Sequence, residues 1–283
     1  MSLLYKTTLS AILTTSRKCV QCSSVFTKDY SNTPPTQARI VIAGAGVVAN
    51  SVAYHLVQNG WNDIIVLEQG KIGSGTSHFG SGTLGLFKPI AHRNLIWYSI
   101  KLYQQLQDMG YDIQMRQCGS INLAQTTDRL IALKRRMAYN IPTGLHCELV
   151  SPNELKDLHP YLKVDDLKGA VWVPEDAVAN PRAICDVLAI LAQQGGAKYF
   201  EHTPVDKVLT QNSTVYGVET PKGVIKCEFF VNCAGMWARE LGLQCSPQVR
   251  IPAYPAQHFY ATTGRLPKCK SQTRKFSKSN YDI

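Results

Sequence analysis

The 283-residue sequence contains no run of 18 unbroken apolar residues. Nothing in it therefore reads as a membrane-spanning helix. Of its nine cysteines, only Cys19 and Cys22 form a CxxC, and no second pair or spaced histidine pair follows. That spacing argues against a zinc site, and no metal ligand is assigned. The sequence has no phosphate-binding P-loop, no Ser-His-Asp order of a hydrolase and no internal repeat. Residues 1–28 hold four basic residues and no acid, and residues 265–278 hold six basic residues and no acid.

The net charge of +10 therefore belongs to the ends. Residues 29–264 carry 20 basic against 19 acidic residues. A near-neutral middle argues against a nucleic-acid-binding face. The first 28 residues also hold ten Ser or Thr. A basic, hydroxyl-rich, acid-free start has the composition of a mitochondrial transit peptide, which places the chain in the mitochondrial matrix. The polar "SNTPPTQA" (31–38) reads as the linker that follows, so transit peptide and linker cover 1–37. Cys227 and Cys233 lie in strand-like runs and are expected to be buried thiols.

The strand Arg39–Ala43 leads into Gly44-Ala45-Gly46-Val47-Val48-Ala49, a GxGxxA fingerprint before a helix expected over 47–59. Gly44 permits the tight turn. Gly46 lets a pyrophosphate approach the backbone, and Ala49 lets the helix pack closely on the strand. The helix start aims its N–H groups and positive dipole end at the phosphates. A second strand, "DIIVLEQ", ends in Glu68, followed by Gln69. A carboxylate there can accept from a ribose 2′-OH and would repel a 2′-phosphate. Composition does not choose between FAD and NAD.

Further along, "NLIWYSIKLYQQLQDMG" (94–110) has helical spacing that stops at Gly110. "TTDRLIALKRRMAYN" reads as a helix with a Thr/Asp cap, "SPNELKDLHPYL" as a short helix capped by Ser151, and "NPRAICDVLAILAQQGGA" as a helix capped by Asn180 with Pro181 at its first turn. "GSINLAQ" and "GAVWVPED" read as strands. Several more are expected over 197–235, turning at Gln211–Asn212 and Pro221–Gly223, before the short helix "MWARELGL". The fold class expected is α/β: a Rossmann-like nucleotide-binding domain with an inserted β-rich region. Nucleotide-binding parts are placed at about 38–90 and 165–245, and the inserted region at about 91–164.

"SVAYHL", "VLEQG" and the Gly/Ser/Thr loop after them resemble the FAD-dependent amine oxidoreductases related to D-amino-acid oxidase. Within these, "GSINLAQTTDRLIALKR" (119–135), "VPEDAV" (173–178) and "FVNCAGMWARELGL" (230–243) resemble the dimethylglycine and sarcosine dehydrogenase group, and most of all its regulatory branch in pyruvate dehydrogenase phosphatase. The likeness runs from about Arg39 to Tyr260. It implies FAD as cofactor, and with it a Rossmann-like FAD-binding domain carrying an inserted β-rich substrate-type region and incomplete at its C-terminal end. It also implies FAD contacts from the loop Gly75, Thr76 and Ser77 through Gly82, from the backbone of Val205, and from Ala234 and Gly235. The implied partner is the catalytic subunit of pyruvate dehydrogenase phosphatase, whose magnesium sensitivity the chain would tune.

The dehydrogenases of this group hold FAD covalently through a loop histidine. Here that position carries Phe79, with His78 beside it, which implies noncovalent FAD and a regulator without required turnover. The alternative is a demethylating dehydrogenase of dimethylglycine or sarcosine. No catalytic residue is assigned. Glu175 and Asp176 read as a solvated turn, His55 as a packed or solvent-facing helix residue, His258 as a substrate-side candidate, and Tyr254 and Tyr260 as core-packed rings rather than the lining of an apolar amine pocket. After Thr263 the likeness fades into a basic, aperiodic segment (264–283), expected to be unstructured.

Overall fold

The computed structural model describes residues 33–259 and the strand Lys275–Ser277. The transit-peptide reading, the Cys19–Cys22 pair and Tyr260 lie outside the described residues. In chain order the first elements are β1 (Gln37–Ala43), α1 (Val47–Gln58), β2 (Ile64–Leu67), α2 (Thr76–Phe79), β3 (Thr83–Leu84), α3 (Ile90–Asp108), β4 (Arg116–Gln117) and β5 (Ser120–Ala124). Then follow α4 (Thr127–Asn140), a 3-10 turn (Ile141–Thr143), β6 (Glu148–Val150), α5 (Pro152–Leu158), β7 (Gly169–Val173), β8 (Ala177–Val178) and α6 (Pro181–Gln194). The last are β9 (Lys198–Phe200), β10 (Lys207–Gln211), β11 (Thr214–Thr220), β12 (Gly223–Asn232), a 3-10 turn (Gly235–Trp237), α7 (Ala238–Leu243) and β13 (Lys275–Ser277).

The main sheet has the order β10-β11-β12-β1-β2-β9. β12, β1, β2 and β9 run parallel, and β10–β12 form an antiparallel meander on one edge. All four residues of β2 are buried, as expected for a parallel strand covered on both faces. One face packs Ile40, Ile42, Ile64 and Val66 against α1 and α6. The helices meet through small side chains, Ala49 and Ala53 on α1 and Cys185, Ala189 and Ala192 on α6. The other face buries Val41, Ile65, Leu67, Val218 and Ile225. Each fully buried aliphatic side chain contributes about 1.5–3 kcal/mol.

The caps expected from sequence form. Thr126 accepts from the Arg129 N–H at the start of α4, Ser151 and Glu154 make a capping box on α5, and Asn180 accepts from the N–H groups of Arg182 and Ala183 on α6. The strand turns fall at Gln211–Thr214 and Thr220–Gly223.

A second sheet, β13-β5-β7-β6, and a small third, β3-β8-β4, make up the inserted part. Two expectations need correction. β7 pairs with β5 and β6, so the chain returns to the nucleotide unit at Pro181, not at about 165. An apolar run such as "GAVWV" shows burial but not the sheet that buries it. The segment 264–283 is also not wholly without structure. Lys275–Ser277 pairs in parallel with Ser120–Asn122, using the free edge of β5. Among the described residues no helix is long and apolar enough to cross a membrane.

Candidate nucleotide site

The parallel strands deliver their C-terminal ends to one cleft of about 850 Å³. Its floor is the turn between β1 and α1. Gly44 has φ +95°, and a Cβ there would lie 2.5 Å from the carbonyl oxygen of Cys233. Only glycine fits both the backbone angle and the crossing of the chain after β12. The turn is pinned on both sides, by Gly44 N–H to the Leu67 carbonyl (2.7 Å) and by Cys233 N–H to the Ala43 carbonyl (3.0 Å).

α1 opens at Gly46 with no side-chain cap. The Val47 N–H donates to Ser77 Oγ (3.0 Å), which ties the loop of α2 to the head of α1. The mouth of the helix is otherwise left to the cleft, as an anion site requires. Gly75 and Gly235 have open space where a Cβ would stand, and both line the cleft.

Ten of the eleven residues assigned from sequence line this one cleft: Gly44 and Gly46; Glu68 and Gln69; Gly75, Thr76 and Ser77; Val205; Ala234 and Gly235. The eleventh, Ala49, is fully buried between α1 and the sheet, where it sets the height of the helix. The sequence reading missed Trp237 and Glu240, just after Gly235, and Pro204 and Asp206 beside Val205, all of which line the cleft. No motif marks them except the "GMW" turn that follows Ala234.

Glu68 does more than face a ribose. Its Oε2 accepts from the Ala45 N–H (2.7 Å) and its Oε1 from the Gly70 N–H (2.8 Å). A carboxylate has room for further acceptor contacts, so it can staple the turn and still accept from a hydroxyl. Glu68→Ala leaves two backbone donors without their acceptor. It should destabilise the chain by about 1–3 kcal/mol in denaturant unfolding, with Glu68→Gln losing less.

Other candidates fall differently. Cys227 is buried as expected, and burial pushes its thiol up to about 11. Cys233 is only partly buried and lines the cleft, because β12 ends just before it. His78 and Phe79 are exposed and stack edge to face at 4.9 Å; neither is among the cleft-lining residues. His55 is half-buried on α1, with Nδ1 2.7 Å from the Ser51 carbonyl and Nε2 2.7 Å from the Tyr98 hydroxyl. Tyr254 is 88% exposed and His258 is exposed, so Tyr254 is not packed in a core and neither forms a pocket here. The solvated-turn reading of residues 175–176 fails for Asp176, which is 2% exposed and accepts from Leu86 N–H and Ser120 Oγ. One oxygen of Glu175 is buried as well. The turn closes against Leu86, just past β3, and Ser120 of β5, a contact that alternation alone does not reveal.

The FAD dependent oxidoreductase family (DAO) matches residues 39–282. The chain belongs to this family. Its relatives include the mouse mitochondrial pyruvate dehydrogenase phosphatase regulatory subunit, 45% identical over 81% of this chain and 26% of that protein. Human mitochondrial dimethylglycine dehydrogenase is 32% identical over 84% of this chain and 28% of the enzyme. The chain thus spans little more than a quarter of the length of these two relatives. Among solved structures, L-proline dehydrogenase from P. horikoshii superposes with a TM-score of 0.72 at 28% identity, covering 77% of this chain and 58% of that one. The family fold is therefore shared across most of the described residues, with the cleft at the place where its parallel strands end.

Proposed function

We propose that this chain is the flavin-binding part of a regulatory subunit of pyruvate dehydrogenase phosphatase, acting in the mitochondrial matrix and holding FAD without a covalent bond. The observation that carries the reading is the 45% identity to the mouse regulatory subunit against 32% to the dehydrogenase. Phe79 at the loop position supports it, since a phenyl ring has no atom that can bond to a flavin. Residues 38–263 would form one flavin-binding unit. Gly44, Gly46 and the head of α1 would hold the diphosphate; Glu68 and Gln69 the ribose; Val205 the adenine side. Gly75–Ser77, Ala234 and Gly235 would pass along the rest of the cofactor. The fit rests on a helix mouth with no N-cap side chain, where Ser77 Oγ takes the Val47 N–H, and on the open space beside Gly75 and Gly235. When bound, FAD supplies a two-electron acceptor. The chain's own residues bind and orient it, and its partner would be the phosphatase catalytic subunit.

Denaturing electrophoresis tests the linkage. Flavin fluorescence should leave the protein band entirely. Fluorescence that stays with the denatured chain would favour the second reading, a demethylating dehydrogenase of dimethylglycine or sarcosine, which the 32% identity supports. Capture of the catalytic subunit by this chain, with no turnover of either amine, is the result expected of a regulator.

A further inference from the structure

Cys185 on α6 is fully buried, yet its thiol is not surrounded by carbon alone. The side chains of Ser77 and Asn50 hydrogen-bond to it. Asn50 is fully buried too, and its Nδ2 donates to the Ala45 carbonyl in the fingerprint turn (2.8 Å). Ser77 Oγ accepts from the Val47 N–H at the head of α1 (3.0 Å). A hydroxyl that accepts one hydrogen bond keeps its own proton to donate, and here the sulfur lies in reach of it. One atom of α6 thus joins the loop of α2 to the first turn of α1.

The loop buries little of itself. From Ser74 to Ser81 every residue is exposed except Ser77. α2 is a single turn, Thr76–Phe79, with no side-chain cap. Just before it, α6 comes so close that a Cβ on Gly73 would stand 2.9 Å from the Cys185 Cβ, at a φ of +68°. Cys185 therefore meets this stretch twice, by packing at Gly73 and by hydrogen bonding at Ser77. Burial is the largest influence on the thiol and pushes its pKa up, so it stays protonated at neutral pH. A buried, protonated thiol is not a nucleophile. What it offers is a hydrogen-bonding atom in a fixed place.

We infer that Cys185 is a positioning residue for the flavin diphosphate: it holds Ser77, and through Ser77 the α2 loop against the head of α1. This rests on the placement of the diphosphate proposed above. A tie on an exposed loop adds little to folding, because the loop contributes little buried surface. It adds to binding, because a loop fixed beforehand need not be ordered when the ligand arrives. Cys185 therefore acts on flavin affinity beyond its effect on stability. A thiol that only filled space would act on affinity through stability alone.

The test uses the full chain, with equilibrium dialysis of FAD and thermal unfolding of the flavin-free protein. Cys185→Ala removes the hydrogen-bonding atom and should bind FAD about tenfold more weakly than wild type. Cys185→Ser keeps a hydroxyl at the same place and should stay within about twofold. Cys185→Val fills the space without the hydrogen bond and should follow the alanine variant, so the comparison with serine holds even where alanine fails to fold. In a Ser77→Ala chain, Cys185→Ala should add less than about twofold, because its effect passes through Ser77. Affinities that simply follow the flavin-free melting temperatures overturn the inference. So does a full tenfold loss in the Ser77→Ala background. Two outcomes separate it from the placement it rests on. Unchanged binding in Cys185→Ala, with a loss in Ser77→Ala, overturns the role of Cys185 and leaves the diphosphate where it was placed. Equal binding by wild type and Ser77→Ala overturns both.

Discussion

Gly44→Ala is expected to give a chain that melts well below wild type and carries almost no flavin. The new methyl would stand 2.5 Å from the Cys233 carbonyl oxygen, at a backbone φ of +95°. Neither side can yield, because Gly44 and Cys233 are each held by backbone hydrogen bonds to neighbouring strands. A non-glycine residue at positive φ costs about 1–2 kcal/mol, and forcing extra volume into a packed site costs about 1–3 kcal/mol more. That total is a large share of the roughly 5–15 kcal/mol that stabilises a domain. Thermal unfolding with and without added FAD, together with the flavin-to-protein ratio, measures both effects. Gly75→Ala is the control, since its methyl meets nothing within 4 Å. It should leave the melting temperature of the flavin-free chain unchanged and lower only flavin retention. If Gly44→Ala melts with wild type, the turn is not the rigid floor of the cleft.

The nucleotide half is legible in sequence because each signal is local. The fingerprint turn, the strand run ending before Glu68 and the capped α6 each fit within about fifteen residues, and each lies where local chemistry puts it. Trp237, Glu240 and Asp206 are not legible, because they reach the cleft only through the pairing of β12 with β1 and the packing behind it. The sheet membership of β7 is hidden for the same reason, as an apolar strand carries no label for its partners. Asp176 is the sharpest failure. Two adjacent carboxylates suggest water, and burial of one of them depends on donors that lie 90 and 56 residues away.

Asp176→Ala should therefore cost more than an ordinary change in a turn. Its carboxylate accepts from the Leu86 N–H at 2.6 Å and from Ser120 Oγ at 2.5 Å. Its own carbonyl accepts from the Gly119 N–H at 2.8 Å. The Ala179 N–H donates to the Gly82 carbonyl (2.9 Å), and β3 pairs with β8. Residues 176–179 thus hold the stretch that leaves the Gly75–Gly82 loop and join it to the inserted sheet. Hydrogen bonds to a charged group contribute about 1.5–3 kcal/mol each, and the cost of burying the carboxylate offsets part of that, so the alanine variant should lose about 2–4 kcal/mol. Asp176→Asn, which keeps an acceptor for Leu86, should lose less. The two also differ in pH dependence. Burial is the largest influence on Asp176 and raises its pKa, and the Leu86 and Ser120 donors only partly oppose it. A carboxyl with a raised folded-state pKa holds its proton more tightly when folded. Its stabilising contribution is complete in acid and is lost as pH rises from the ordinary carboxylate range through the raised value. The stability of wild type relative to Asp176→Asn should accordingly fall as pH rises across that window. Denaturant unfolding at a series of pH values measures the slope. A flat difference would mean that the carboxylate is stabilised as strongly here as in water. Because the clamp lies next to the loop that would pass along the flavin, flavin retention should fall together with stability in the alanine variant. Loss of stability without loss of flavin would assign Asp176 to the inserted sheet alone.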